Sequence, residues 1–69
     1  MKPLIIRGEI IRLCDAVKIA GEAETGGAAK MLIAEGNVSV NGEICYVKGK
    51  TLTESDTFSV HGNEYRITL

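Results

Sequence analysis

The spacing of apolar residues changes at Gly36, and no other feature constrains the fold as much. Before it, Leu13, Ala16, Val17 and Ala20 recur at the three- and four-residue intervals of one helix face, and Ala29, Leu32 and Ile33 repeat the pattern. After it, Val38 and Val40 alternate with Asn37, Ser39 and Asn41, and Phe58 and Val60 share one face of Thr57–His61. That alternation is the period of a strand with one side buried. Helical patterns followed by strand patterns describe an α+β domain.

The punctuation agrees. Gly21 stops a first helix of about two turns that begins at Leu13, with Asp15, Lys18 and Glu22 turned towards water. Thr25 is suited to cap a second helix, because its hydroxyl can accept an orphan N–H of the first turn. That helix spans Thr25–Gly36, with Gly36 at the C-terminal stop position and Lys30 and Glu35 off the apolar stripe. Asn41-Gly42 is a hairpin turn signal, since both central residues of such a turn need positive φ. Ile44–Val47 is the expected returning strand, Lys48-Gly49-Lys50 a loop, Gly62-Asn63 a second turn and Tyr65–Leu69 a last strand. Leu4–Ile6 is β-prone and expected at a sheet edge. The expected fold is two short helices packed on one face of a small, mainly antiparallel sheet.

Sixty-nine residues allow one small domain, here 1–69, with a marginal core. Only Tyr46, Phe58 and Tyr65 are aromatic, so that core must be largely aliphatic. The formal charge of −1 argues against strong indiscriminate nucleic-acid binding. Acids and bases interleave along the chain, so any basic patch must be assembled by folding. Cys14 and Cys45 form no CxxC pair and read as reduced thiols; Cys14 is expected half-buried beside the first helix stripe. The apolar start is too short for a signal peptide, and no run approaches the ~20 residues of a membrane span, so a cytoplasmic protein is expected. His61 lacks the partners of a catalytic triad and reads as a structural strand residue. No ligand set for a metal and no paired carboxylates stand out, so neither catalysis nor a cofactor is expected.

The segment Thr25-Gly-Gly-Ala-Ala-Lys30 invites a closer look. Glycine is a poor helix former, by ~1 kcal/mol against alanine, yet two open this helix. Two readings stand. The glycines either serve tight packing of the turn between the helices, the plainer view of the segment alone, or leave the first amides bare for a phosphate, with Lys30 one turn on. The segment is not a P-loop, because the G-x-x-x-x-G-K-[ST] pattern is absent.

The ordered set Arg12-Leu13, Gly21, Thr25, Ala29-Lys30, Leu32-Ile33, Gly36, Val38-Ser39-Val40-Asn41-Gly42 and Asp56 resembles the RNA-binding domain named after ribosomal small-subunit protein four, the S-four domain. The likeness is greatest to its stand-alone small bacterial branch, where a Gly-Gly pair opens the second helix. It implies a non-enzymatic, monomeric module that binds structured RNA, ribosomal or transfer RNA, on its own or within a ribonucleoprotein, in translation or ribosome assembly. By resemblance, Arg12, Lys18, Thr25, Gly26, Gly27, Lys30, Asn41, Lys48 and Lys50 would meet the RNA backbone. Read from the residues alone, Lys18 could instead pair with Asp15 or Glu22, Asn41 could be a turn former, and Tyr46 could stack on a base or, more readily, pack on the sheet.

The chain departs from the family pattern where Gly26 replaces a common arginine and where Val47 and Thr51 replace basic residues of the hairpin loop. Fewer cations release fewer counterions, which implies weaker and less salt-sensitive binding. The alternative is a protein-interaction module that keeps the fold without the RNA site, favoured by the acidic balance. A small phosphate or nucleotide binder using Thr25–Lys30 is a third reading, for which no concave pocket is foreseeable.

Overall fold

Leu13 opens the first helix, and the first two backbone N–H groups of that helix are capped by a distant loop. In a computed structural model describing residues 1–69, α1 spans Leu13–Ile19 and α2 spans Gly26–Ala34. The strands are β1 (Lys2–Ile5), β2 (Ile10–Arg12), β3 (Val38–Val40), β4 (Glu43–Ile44), β5 (Thr51–Thr53), β6 (Thr57–Val60) and β7 (Asn63–Thr68). Five strands form one sheet in the order β1-β7-β6-β3-β4, and β2 pairs with β5 in a separate ribbon. Every pairing is antiparallel except that of β1 with β7, which is parallel.

Arg12 offers no side-chain cap to α1. Instead the N–H of Leu13 donates to the carbonyl of Lys50 at 2.8 Å, and that of Cys14 to the carbonyl of Lys48 at 3.1 Å. Orphan donors of the first turn are thereby satisfied by backbone, a role usually left to a side chain or water. The buried face of α1 comprises Leu13, Cys14, Ala16 and Val17. It is wider than the apolar spacing implied: Cys14 is 4% exposed, fully inside and not half-buried.

Thr25 caps α2 as expected, its Oγ1 accepting from the N–H of Ala28 at 3.0 Å. We expect Thr25→Ala to lower stability by about 1 kcal/mol and Thr25→Ser to restore most of it, measured by urea unfolding. The two glycines behind the cap make α2 depend on it more than an alanine-rich first turn would. At its other end, the N–H groups of Gly36 and Asn37 return to the carbonyls of Ile33 and Leu32, with Gly36 at φ +79°.

Side chains from every layer meet in one core: Leu4 from β1, Leu13 and Val17 from α1, Ile33 from α2, Val38 and Val40 from β3, Leu52 from β5, Phe58 and Val60 from β6, Ile67 from β7. Phe58 stands opposite Tyr65 in the register, and their rings stack with centroids 5.1 Å apart.

Several boundaries differ from expectation. The strand after Asn41-Gly42 ends at Ile44, and the chain then runs irregularly to Thr51. The second hairpin turn is His61-Gly62, at φ +54° and +79°, matching Asn41-Gly42 at +50° and +89°. His61 is therefore a turn residue, not a strand residue, and β7 begins at Asn63. No helix is long and apolar enough to cross a membrane.

Candidate functional site

The β2–β5 ribbon and the loop before it gather cations at one end of α1. Arg12 pairs with Thr51 in the ribbon, and the carbonyls of Lys48 and Lys50 hold the start of the helix. The side chains of Arg12, Lys48 and Lys50 are exposed, so the backbone of the loop is fixed while its charges face water. The Nε of Arg12 lies 3.3 Å from Asp15, an exposed ion pair worth little in water. Asp15 is thus taken by Arg12, and Lys18 pairs with neither Asp15 nor Glu22.

Asn41 is occupied structurally. Its Oδ1 accepts from the N–H of Thr57 at 3.0 Å, and its Nδ2 donates to Asp56 at 3.2 Å. Asp56 also accepts from the N–H of Thr53 at 2.8 Å. That backbone bond holds the Asp56 carboxyl below the usual carboxylate range, with Asn41, the Thr53 hydroxyl and the charge of Lys50 acting the same way. This network ties the Asn41-Gly42 turn to the segment entering β6.

The two flanks of α2 differ in chemistry. At about 100° per residue, Gly26, Gly27 and Lys30 fall on one side of the buried stripe of Ala29 and Ile33. A Cβ placed on Gly26 would meet nothing within 4 Å, and one on Gly27 only the Thr25 hydroxyl at 3.9 Å. Neither glycine has positive φ. Neither packing nor backbone conformation therefore requires glycine there, which removes the tight-packing reading of this segment. On the other flank, Ala28, Met31 and Leu32 join Thr25, Glu22, Glu24, Glu35 and His61 around a groove of about 470 Å³. The structure thus brings Arg12, Lys48 and Lys50 together at α1, with Asn41 and Lys50 lining one groove. It places Gly26, Gly27 and Lys30 on α2, which packs against α1, and leaves Thr25 on the acidic flank.

Comparison with known proteins decides the family. The S4 domain model matches residues 4–68. This chain belongs to the S4 domain family. It is 35% identical over 57 residues to YbcJ of Escherichia coli K12, named as a candidate RNA-binding protein, across 83% of this chain and 81% of that one. YbcJ of Shigella flexneri matches to the same extent. The solution structure of Escherichia coli YbcJ, which revealed an αL motif involved in RNA binding, superposes with a TM-score of 0.74 at 30% identity, covering 100% of this chain and 89% of that one. The ribosomal protein S4e of Thermoplasma acidophilum shares the fold, with a TM-score of 0.65 at 20% identity over 87% of this chain and 32% of its own.

Two residues of this S4 domain sit where sequence reasoning did not place them. Glu22, expected in water, is only 12% exposed at its side chain. It accepts from the Nδ2 of Asn63 at 2.9 Å and from the Tyr65 hydroxyl, and its other oxygen lies 3.1 Å from the Nδ1 of His61. The bond from Tyr65, then that with His61, holds the Glu22 carboxyl below its ordinary range, while Glu22 pushes the Tyr65 phenol up. His61 thus has the partner that the sequence did not show. Tyr46, expected to pack on the sheet, projects to solvent beside Gly36. No sequence signal marked this: Tyr46 falls inside the expected returning strand Ile44–Val47, whereas β4 ends at Ile44.

Proposed function

We propose that this S4 domain binds structured RNA, ribosomal or transfer RNA, through the phosphate backbone. One face would be Lys48 and Lys50 with Arg12. The other would be the bare amides of Gly26 and Gly27, with Lys30 one turn on. The observation that carries this reading is the fastening of the basic loop: its carbonyls cap α1, so its lysines project from a fixed backbone. RNA helices are recognised mainly by shape and by phosphate and 2′-hydroxyl contacts, which suits a rigid display of amides and cations. Membership of the S4 family and the RNA-binding motif of YbcJ support it. Lys18 contributes from α1, while Thr25 and Asn41 shape the contact surface through the cap and the turn they hold. The domain acts without catalysis, as a monomer in the cytoplasm, on RNA alone or in a ribonucleoprotein, in translation or ribosome assembly.

The test is a titration of a transfer RNA and a ribosomal RNA fragment at about 50 and 200 mM salt. The Lys30→Glu, Lys48→Glu double variant should bind at least about tenfold more weakly at the lower salt. Its plot of log affinity against log salt should be shallower by about 1.8, from two lost phosphate contacts at about 0.9 each. Absence of binding by the folded wild type at low salt would overturn the reading.

A second reading, a protein-docking module, is favoured by the groove beside α2, which sets apolar Met31 and Leu32 among Glu22, Glu24 and Glu35. It gains if RNA fails to bind at low salt.

A further inference from the structure

Tyr46 serves neither the core nor a phosphate contact. It is 64% exposed. A Cβ built on Gly36 would lie 3.2 Å from ring carbon Cε1 and 3.3 Å from the hydroxyl oxygen, so the hydroxyl end of the ring rests against that glycine. Gly36 therefore answers two demands: φ +79° at the end of α2 and room for the ring. The ring is held at one end by rigid backbone and is open elsewhere. Ile44 and Val47 stand exposed on either side of it in the chain, and a groove of about 650 Å³ runs past all three to Lys50. An exposed aromatic set among apolar side chains, two positions before the first of a lysine pair, marks an interaction surface.

We infer that Tyr46 is a stacking platform for one unpaired nucleobase whose flanking phosphates are held by Lys48 and Lys50. The inference rests on the RNA-binding reading above and narrows its ligand to structured RNA that carries a bulged or looped nucleotide. A flat ring offers any base a π-face, and an unpaired base is free to meet it. Glu43 lines the same groove. Its charge disfavours a phosphate there and tolerates a base, whose amino groups a carboxylate can accept from. The phosphates accordingly stay at the lysine end.

The experiment compares two RNA probes, a stem closed by an unpaired loop and a blunt duplex of the same stem, against wild type, Tyr46→Phe and Tyr46→Ala. Wild type and Tyr46→Phe should prefer the looped probe by about tenfold. Tyr46→Ala should fall to the duplex level on the looped probe and bind the duplex as wild type does. The chain has no tryptophan, and its other tyrosine, Tyr65, is buried against Glu22 out of reach of a base, so a change in tyrosine emission on adding RNA reports on Tyr46. That emission should fall as the looped probe is added to wild type and not to Tyr46→Ala. Equal binding of the looped probe by wild type and Tyr46→Ala overturns the stacking platform and leaves backbone recognition intact. Failure of wild type to bind either probe overturns both.

Discussion

Glu22→Ala should lower the unfolding free energy by about 2–3 kcal/mol. The single carboxylate closes three bonds, to His61, Asn63 and Tyr65, across 39 to 43 residues of chain. Hydrogen bonds to a charged group contribute about 1.5–3 kcal/mol, and the phenol of Tyr65 would be left buried with no acceptor. In a domain this small the loss corresponds to a fall in Tm on the order of 15 °C. The pH dependence follows from the directions of the two shifts. The Glu22 carboxyl lies below its ordinary range in the fold, so its contribution is complete above that range and disappears as pH falls through the folded value. Tyr65 is raised, so its contribution is complete below the ordinary phenol value and disappears as pH rises towards the folded one. Urea unfolding of wild type and Glu22→Gln between about pH 3 and pH 7 checks this: the variant should show a flatter acid limb. The remaining slope would come from Asp56, which is lowered too. Parallel acid limbs would show that Glu22 titrates alike in both states.

Phe58→Ala should be more damaging, at about 3–5 kcal/mol. Phe58 is 1% exposed, stands between Val40 and Tyr65 in the sheet and stacks on the Tyr65 ring. It is the chain's only phenylalanine, and aliphatic neighbours cannot expand to fill the volume of a ring. A domain of this length has roughly 3–10 kcal/mol in total, so the variant should lose about a third of its stability at least and all of it at the lower end of that range. Phe58→Leu should cost less, because more of the volume is kept. Far-ultraviolet circular dichroism with urea titration measures both. A loss below about 1 kcal/mol for the alanine variant would mean that the sheet closes over the gap.

The helices, the Thr25 cap of α2 and the Asn41-Gly42 turn were legible in the chain because each is local. Thr25 needs only Ala28, and the turn needs only two residues at positive φ. The β2–β5 ribbon was not legible. Each strand is three residues long, too short to show a period, and their paired residues lie about forty positions apart. The same distance hid Glu22: a glutamate after a glycine reads as surface until folding brings Tyr65 above it. The lysines of the candidate site were visible as residues, but their fastening to α1 was not, since it uses carbonyls and leaves no mark in side-chain type. The Gly26-Gly27 pair was the opposite case. Its position was plain, and only the fold shows that nothing packs there.

The parallel pairing of β1 with β7 also governs when this molecule can fold. Of the strands of this domain, Lys2–Ile5 is made first, yet its partner, Asn63–Thr68, follows all the others in chain order. Until then the first strand has no neighbour in its sheet, and its unpaired edge is open to association with other chains. A loop of about sixty residues must close before that contact forms, which raises the entropic cost of pairing the first strand. α1 and α2 lie close together in the chain, but the first turn of α1 is closed only by the carbonyls of Lys48 and Lys50. The contact that completes the sheet at β1 is the one that spans the most chain, from Lys2 to Tyr65.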